Sequence, residues 1–328
     1  MEKLKTGVIG TGHLGKLHIK MFKEINNCEL IGIFDTNLLQ SETAAKEFQV
    51  NYFKDEQELL DKVDAVSIAV TTSAHYEVAL RCLIQDKHIF IEKRITSKIN
   101  EAEELVKIAK EKNLNIQVGH IERFNPAIIS VEKYISSPVF IESDRLSQFN
   151  PRGTDVAVVL DLMIHDIDII LSFIKSNVKK IDANGVAVVS DNFDIANARI
   201  EFENGAVANV TASRISQKKM RKMRIFQKNT YIALDFVTGA SEVYRLQEVD
   251  ENVSSGISFG EIGVGDKKKR LIYEQPQISE VNALKYELQL FINSVLEKTK
   301  PVVSGEDGLR ALKIADIIIN KINESAIA

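Results

Sequence analysis

The sequence predicts two domains: an α/β domain with a doubly wound parallel sheet over residues 1–120, then an α+β domain with an antiparallel sheet over residues 121–328. Three observations predict them. Apolar strand segments alternate with amphipathic helical segments up to residue 120, extended segments with few helices follow, and 328 residues fit two ordinary domains. An amphipathic helix at about 304–323 belongs to the second domain, and we expect that it can pack back on the first.

The first domain has an alternating pattern that is typical of parallel strands joined by crossover helices. In such a sheet the carboxyl ends of the strands lie at one edge, and ligands bind there. Residues that follow the strands are therefore candidates for a binding site. The predicted strands are Lys5–Ile9, Glu29–Phe34, Ala65–Ala69, His88–Ile91 and Asn115–Val118.

The second domain has one long predicted helix, Val158–Leu171, among its strands. The turn Glu203-Asn204-Gly205 has the composition of a hairpin loop. The Ser- and Gly-rich stretch at 251–265 predicts a mobile loop. The predicted strands are Val139–Ser147, Ile181–Val189, Ile195–Phe202, Ala206–Ser213, Lys222–Gln227 and Tyr231–Asp235.

The composition is that of an ordinary globular enzyme, with 45% hydrophobic and 27% charged residues. A net charge of -4 gives no reason to expect nucleic acid or an anionic membrane as a partner. Cys28 and Cys82 lie in apolar surroundings and indicate no disulfide framework. No secretory signal or membrane-spanning apolar run is evident, so we expect a cytoplasmic protein without a metal site.

The first strand is followed by the glycine-rich segment Gly10-Thr11-Gly12-His13-Leu14-Gly15, which opens a helix. Gly10 allows a tight turn, Gly12 lets the backbone approach a phosphate, and Gly15 lets the helix pack on the strand. The N–H groups of His13 and Leu14 then face the phosphates at the positive end of the helix. This arrangement predicts a dinucleotide-binding turn.

The second strand ends in Asp35, about 20 residues after the last glycine, where a ribose-binding acid is expected. A carboxylate accepts hydrogen bonds from the ribose hydroxyls of NAD and repels the 2′-phosphate of NADP. Positions 36–38 hold no arginine that would accommodate that phosphate. We therefore predict NAD as the cofactor and consider NADP less favoured.

Polar residues follow the third and fourth strands at the same predicted edge of the sheet. A hydroxyl-rich turn with Thr71, Ser73 and His75 follows one, and Glu92-Lys93 follows the other. Because ligands bind at this edge, we predict that Thr71, Ser73, His75 and Glu92 contact the cofactor and that Lys93 contacts the substrate.

The long helix of the second domain places Asp161, His165 and Asp168 at i, i+4 and i+7, on one face that is otherwise apolar. Buried polar groups need partners or a function. Arg123 and Asn125 lie near the domain junction. We expect them to contact the substrate or the strand edge that carries Lys93, and hydrogen bonds that only stabilise the junction are an equal alternative.

Two basic runs stand apart from these motifs, at 218–224 and 267–270. Solvated loops or hairpin edges are the ordinary interpretation of such runs. The first run has a second interpretation, in which its cations bind a diphosphate group on the substrate. Only the second interpretation requires a substrate that carries a diphosphate group.

Several stretches together resemble the Gfo/Idh/MocA family of sugar and cyclitol oxidoreductases, nearly along the full chain. The resemblance implies an N-terminal Rossmann domain and a C-terminal domain with an open antiparallel sheet, whose outer face builds homodimers or homotetramers. Two departures are Arg94 where the family has proline and Met163 where it has glycine. The stretches are Gly10 to Gly15, Thr71 to His75, Glu92-Lys93, Gly119 to Pro126 with Arg123, and Asp161 to Asp168.

The resemblance implies hydride transfer from a secondary hydroxyl carbon of a sugar to NAD. Lys93 would stabilise the developing oxyanion, His165 would take the hydroxyl proton, and Asp161 would orient the imidazole. Lys93 is an alternative base, because burial beside a positive ring lowers the pKa of a lysine. The substrate contacts are then Lys93, Arg123, Asn125, Asp161 and His165.

Within the family, Gly119 to Pro126 and Asp161 to Asp168 are most similar to the branch that oxidises the 3-hydroxyl of UDP-N-acetylglucosamine on the way to a diamino sugar of lipid A. Two alternatives remain at this point. One is an inositol or free-sugar dehydrogenase, and the other is a non-catalytic NAD-binding sensor or partner protein.

Overall fold

The computed structural model describes residues 3–151, 154–249, 255–277 and 281–326. Contacts divide the chain into two units, one of Met1–Ile121 with Asn282–Lys313 and the other of Glu122–Val281 with Ile314–Ala328. The first boundary lies one residue from the expected one. Residues 282–313 differ from the expectation, because they belong to the first unit.

The first unit contains a parallel sheet of five strands in the order β2-β1-β3-β4-β5. The chain moves outward from β1 to β2 and then crosses to the other side of β1, so β1 and β3 flank the topological switch point. The predicted doubly wound sheet is confirmed. The strands are β1 Leu4–Ile9, β2 Cys28–Phe34, β3 Ala65–Ile68, β4 His88–Glu92 and β5 Ile116–Gly119.

Helices cover this sheet, and two of them come from the C-terminal part of the chain. Phe291 of α8 packs edge-on against Phe90 of β4, with ring centroids 6.0 Å apart. This buried contact explains why residues 282–313 join the first unit. The helices are α1 His13–Glu24, α2 Leu38–Phe48, α3 Glu56–Leu60, α4 Thr72–Ile84, α5 Ile99–Lys112, α8 Ala283–Leu296 and α9 Gly305–Ala326, the last of which continues into the second unit from Ile314.

The second unit contains a sheet of nine strands in the order β13-β14-β12-β11-β10-β6-β9-β8-β7. All neighbours are antiparallel except β6 and β9, which are parallel. The predicted α+β class is confirmed. The strands are β6 Phe140–Leu146, β7 Val178–Val186, β8 Ile195–Phe202, β9 Val207–Ser213, β10 Met220–Gln227, β11 Thr230–Asp235, β12 Ala240–Gln247, β13 Ile257–Ile262 and β14 Lys269–Glu274.

Three of these strands, β12 to β14, were not predicted from the sequence. The expected loop at 251–265 is wrong for residues 257–262, which form β13, while residues 250–254 lie outside the described ranges. Every residue of β13 is exposed, so the strand has no buried face that an apolar pattern would mark. It is held by its ladder to β14, a pairing that local sequence does not reveal.

The two faces of the large sheet differ in character. One face buries aliphatic residues, such as Ile141, Ile225 and Ile232, under α6 (Pro126–Ile129) and α7 (Ile164–Phe173). The opposite face carries a continuous aromatic row across six strands, with neighbouring ring centroids 4.9 to 5.7 Å apart. The members of this aromatic row are Phe140, Phe226, Tyr231, Tyr244, Tyr273 and Phe259.

Among the described residues, no helix is both long and apolar enough to cross a membrane. The same residues contain no group of three or more His, Cys, Asp and Glu side chains arranged to hold a metal ion.

Candidate active site

The glycine-rich segment forms the turn between β1 and α1, and two of its glycines are required by the protein itself. Gly10 has φ +94°, and a Cβ there would lie 2.6 Å from the Ala69 carbonyl oxygen. A Cβ on Gly15 would lie 1.8 Å from the Gly10 carbonyl oxygen. Both obstacles are backbone atoms, so α1 can approach β1 and β3 only with glycine at these positions.

Gly12 is different, because its surroundings within the protein leave room for a side chain. The nearest atom to a Cβ on Gly12 is Gln40 Nε2, at an ordinary contact distance of 3.7 Å. Gly12 is also the N-cap of α1, where unpaired N–H groups and the positive helix end attract anions. The turn therefore leaves open backbone at a positive helix end, which fits the pyrophosphate of a dinucleotide.

Substitutions at Gly12 and Gly15 are expected to separate cofactor binding from folding. Gly12→Ala should leave the free energy of unfolding within about 0.5 kcal/mol of wild type, because the added methyl group meets only Gln40 at an ordinary contact distance, and should weaken NADH binding at least tenfold. Gly15→Ala should destabilise the fold by several kcal/mol, about 3 or more, because backbone must move. Urea unfolding and NADH fluorescence titration measure the two effects. Equal NADH affinity in Gly12→Ala and wild type would contradict the assignment.

Asp35 lies at the carboxyl end of β2 and is bound to the glycine-rich turn. Its Oδ2 accepts hydrogen bonds from the Thr11 N–H (2.7 Å) and the Thr11 hydroxyl (3.1 Å), and its Oδ1 accepts one from the Asn37 N–H (2.9 Å). A carboxylate oxygen has two lone pairs, so Oδ1 can accept a further bond. A cavity of about 560 Å³ at this turn is lined by Thr11, Gly12, His13, Lys16, Asn37, Leu39, Gln40 and Thr43.

The turn after β3 carries two exposed hydroxyl groups and one buried imidazole. Thr71 is the N-cap of α4, and its hydroxyl lies 3.2 Å from that of Ser73, with both residues accessible at the strand edge. His75 is buried, and its ring nitrogens lie 2.7 Å from the Arg94 carbonyl oxygen and 3.3 Å from that of Val70. Burial lowers the pKa of His75 more than these carbonyl contacts raise it, so the ring is neutral.

Lys93 follows the last residue of β4 and is half-buried. The preceding Glu92 receives the Lys93 N–H at Oε2 (3.3 Å), while its Oε1 lies 2.9 Å from Nε2 of His18 on α1. The Lys93–Arg94 peptide bond is cis. Sequence reasoning missed His18, although a polar residue among the apolar residues of α1 signals a buried partner.

The helix that carries the DxxxH pattern is not regular. The predicted helix over Val158–Leu171 is present, but Val159–Met163 forms a π-helical turn and regular α-helix α7 begins at Ile164. Asp161 lies in the π-helical turn and His165 in the first turn of α7, both half-buried. π-Helical turns occur frequently at functional sites, because the extra residue re-aims side chains.

Asp166 and Asp168 of α7 are both buried, and each binds an arginine through two hydrogen bonds. Asp168 binds Arg123 with both distances at 2.6 Å, and Asp166 binds Arg145 at 2.7 and 3.0 Å. Burial acts to lower the pKa of Arg145, but the charges of Asp166 and Glu122 outweigh it and raise the pKa. These ion pairs fix the position of α7, and sequence reasoning predicted neither of them.

The predicted substrate contacts Arg123 and Asn125 both have partners within the second unit. Arg123 binds Asp168, as above. Asn125 caps α6 by accepting the Ala127 N–H (3.1 Å) and donates its amide to the Phe236 carbonyl oxygen (3.1 Å). These bonds hold both side chains within the second unit, and a substrate contact for either residue stays a prediction.

The fold and the two sets of polar residues define a dinucleotide-binding oxidoreductase of two domains. Residues 4–120 match the model of the oxidoreductase family with an NAD-binding Rossmann fold, and residues 136–232 match the Gfo/Idh/MocA C-terminal domain. The chain therefore belongs to the Gfo/Idh/MocA family of dehydrogenases.

Among its relatives, the chain is similar to UDP-N-acetylglucosamine 3-dehydrogenase of Acidithiobacillus ferrooxidans. The two are 35% identical over 96% of each chain, and the solved structure of that enzyme superimposes with a TM-score of 0.87 over 98% of both. Myo-inositol 2-dehydrogenase of Thermotoga maritima is 24% identical over 94% of this chain and 93% of its own. Levoglucosan dehydrogenase, solved with NADH and levoglucosan, shares the fold at a TM-score of 0.83 and 19% identity.

Proposed function

We propose that the protein oxidises the 3-hydroxyl of UDP-N-acetylglucosamine to a ketone with NAD as the oxidant. The observation that carries this proposal is the 35% identity, over 96% of both chains, to the enzyme from A. ferrooxidans that is named for this reaction. The inositol dehydrogenases among its relatives are less similar, at 24% identity for the example above.

The proposed chemistry gives each of the candidate catalytic residues a separate task. Oxidation removes a proton from the hydroxyl oxygen and a hydride from the carbon that bears it, leaving a C=O bond; bound NAD would accept the hydride. We assign His165 as the base, with Asp161 orienting its ring, and Lys93 as the donor that stabilises the developing negative charge on oxygen. The turn at Gly10–Gly15 would hold the pyrophosphate, with Thr71, Ser73 and Glu92 nearby at the strand edge.

The preference for NAD over NADP rests on Asp35. Its carboxylate is held by Thr11 and Asn37 and can accept a ribose hydroxyl, whereas a 2′-phosphate at the same place would meet like charge. Lys16, a cation beside this cavity, binds Glu47 at 2.6 Å. This pairing leaves the local charge unfavourable to a phosphate.

The diphosphate of the proposed substrate needs cations. Three of the five cationic side chains in the run 218–224 already lie beside carboxylates of the protein. Arg221 binds Glu122 at 3.0 Å, Arg224 binds Glu142 at 2.8 Å, and Lys222 lies 3.8 Å from Asp235. Lys218 and Lys219 are exposed, in the loop between β9 and β10. We assign the diphosphate to these two lysines.

A substrate panel tests this assignment together with a matched pair of double variants. We expect turnover of NAD with UDP-N-acetylglucosamine and none with N-acetylglucosamine or myo-inositol. Lys218→Ala with Lys219→Ala should raise the KM for the nucleotide sugar about tenfold, because two charge-assisted contacts are lost. Lys267→Ala with Lys268→Ala, the same charge change on the β13–β14 hairpin, should leave the KM unchanged.

Other outcomes of this panel would favour the alternatives. Turnover of a free sugar or a cyclitol would contradict the nucleotide-sugar substrate and favour an inositol or free-sugar dehydrogenase. NADH binding without turnover on any of the three would favour the non-catalytic sensor. An equal KM in both double variants would contradict the role of Lys218 and Lys219 alone.

We propose further that the protein forms homo-oligomers through the face of the large sheet that carries the aromatic row. Six neighbouring aromatic rings on one face form an apolar strip of the kind that interfaces bury. Tyr231→Lys with Tyr244→Lys should convert the oligomer to monomers in sedimentation velocity without loss of the folded state, because neither ring lies in the buried core. An unchanged sedimentation coefficient would contradict this interface.

A further inference from the structure

Two buried histidines from two different helices form hydrogen bonds with the segment that carries Lys93. His18 of α1 reaches the residue before Lys93, and His75 of α4 reaches the residue after it. Both rings are almost fully buried, with exposed fractions of 0% and 1%. Both therefore act through other protein atoms rather than by touching a substrate.

Both ring nitrogens of His18 are hydrogen-bonded. Its Nε2 lies 2.9 Å from Glu92 Oε1 and its Nδ1 lies 2.6 Å from the Ser67 hydroxyl oxygen. A carboxylate only accepts, so Nε2 carries a proton and donates it to Glu92, while Nδ1 shares a hydrogen bond with the Ser67 hydroxyl group. The other Glu92 oxygen, Oε2, accepts the Lys93 N–H. A continuous chain thus runs from Ser67 through His18 and Glu92 to the backbone of Lys93.

His75 holds the other side of Lys93. Its Nδ1 lies 2.7 Å from the Arg94 carbonyl oxygen, and its Nε2 lies 3.3 Å from the Val70 carbonyl oxygen. A neutral imidazole has one N–H, and the shorter contact indicates that Nδ1 donates it to Arg94. The two histidines therefore use opposite ring nitrogens toward the Lys93 segment, Nε2 in His18 and Nδ1 in His75.

We propose that His18 and His75 are positioning residues, which set the place of the Lys93 side chain by fixing Glu92 and the Arg94 carbonyl group on either side of it. This inference rests on the catalytic role proposed for Lys93. A displacement of a reacting group by 1 Å can cost about 100-fold in rate, so loss of either hydrogen bond is expected to lower turnover without removing a substrate contact.

The opposite use of ring nitrogens allows a reciprocal test. An asparagine amide occupies roughly the place of Nδ1, and a glutamine amide roughly the place of Nε2. His18→Gln should therefore keep the bond to Glu92 and His18→Asn should lose it, whereas His75→Asn should keep the bond to Arg94 and His75→Gln should lose it. We expect kcat to fall at least tenfold further in His18→Asn and His75→Gln than in their counterparts, with the KM for NAD changed by less than about threefold.

A second readout does not depend on the substrate. Reductive ¹³C-methylation labels lysine amines for NMR and keeps their charge. The resonance of Lys93 is identified as the one that is missing from the spectrum of Lys93→Arg. This resonance should shift in His18→Asn and His75→Gln and remain near its wild-type position in the other two variants. His88→Asn, at the opposite end of β4 where Nδ1 accepts the Asn115 N–H, controls for general disturbance of the strand.

The outcomes separate this inference from the proposed function. If the resonances follow the reciprocal pattern but UDP-N-acetylglucosamine is not oxidised, the positioning stands and the proposed substrate is wrong. If oxidation occurs but both variants of each histidine behave alike in kcat and in the Lys93 resonance, the positioning is wrong. A merely structural role predicts that result, since it makes all four variants equally less stable.

Discussion

Replacing His165 by alanine is expected to lower kcat by about 10²- to 10⁴-fold, the range for loss of a general base. The affinity for NADH should change less than about twofold, since the glycine-rich turn and Asp35 belong to the other unit and stay intact. Stopped-flow absorbance of the nicotinamide and NADH fluorescence titration measure the two quantities. Full turnover in His165→Ala would show that the base is another residue.

Two further variants identify which residue acts as the base and which holds the cofactor. If Lys93 is the base instead, Lys93→Met should abolish the proton transfer and His165→Ala should lose less than tenfold in kcat. Asp35→Ala is the matched control with the opposite pattern. It removes the proposed ribose contact, so it should raise the KM for NAD at least tenfold while kcat at saturation changes little.

Replacing Arg145 by leucine is expected to cost about 3–5 kcal/mol of unfolding free energy, because the substitution leaves charged carboxylates of Asp166 and Glu122 without their buried partner. The exposed fractions of the Arg145 and Asp166 side chains are 2% and 1%. Urea unfolding at constant pH measures the loss. Activity at temperatures well below unfolding should also fall, since Asp166 lies next to His165 on α7.

Two companion variants show whether burial of charge is the cause. Combining Arg145→Leu with Asp166→Leu removes both members of the closest pair and should recover a large part of the lost stability, with Glu122 still bound by Arg221. Arg199→Leu breaks the exposed pair with Glu201, where the side chains are 46% and 35% exposed. Its cost should stay below about 1 kcal/mol. Equal costs for Arg145→Leu and Arg199→Leu would contradict the argument.

The sequence by itself determined the features that depend on neighbouring residues. Local patterns predicted the glycine-rich turn, the five parallel strands and Asp35 at the end of β2. A turn motif or an apolar strand segment extends over only a few residues, so it can be recognised in the sequence. The family resemblance followed from the order of these local motifs. The α+β character of the second unit came from the same source, through its succession of short extended segments.

Tertiary structure alone decided what pairs with what. His18 and Glu92 are 74 residues apart, and Arg145 and Asp166 are 21 apart, so no spacing rule in the sequence joins them. Asp168, expected beside Asp161 and His165, instead binds Arg123, because a buried carboxylate requires a compensating cation. β13 is held by its pairing with β14. The helix that carries Asp161 and His165 changes from π-helical to α-helical geometry between these two residues. The free energy that stabilises these arrangements comes from long-range pairing and burial, and a short window of sequence does not reveal either.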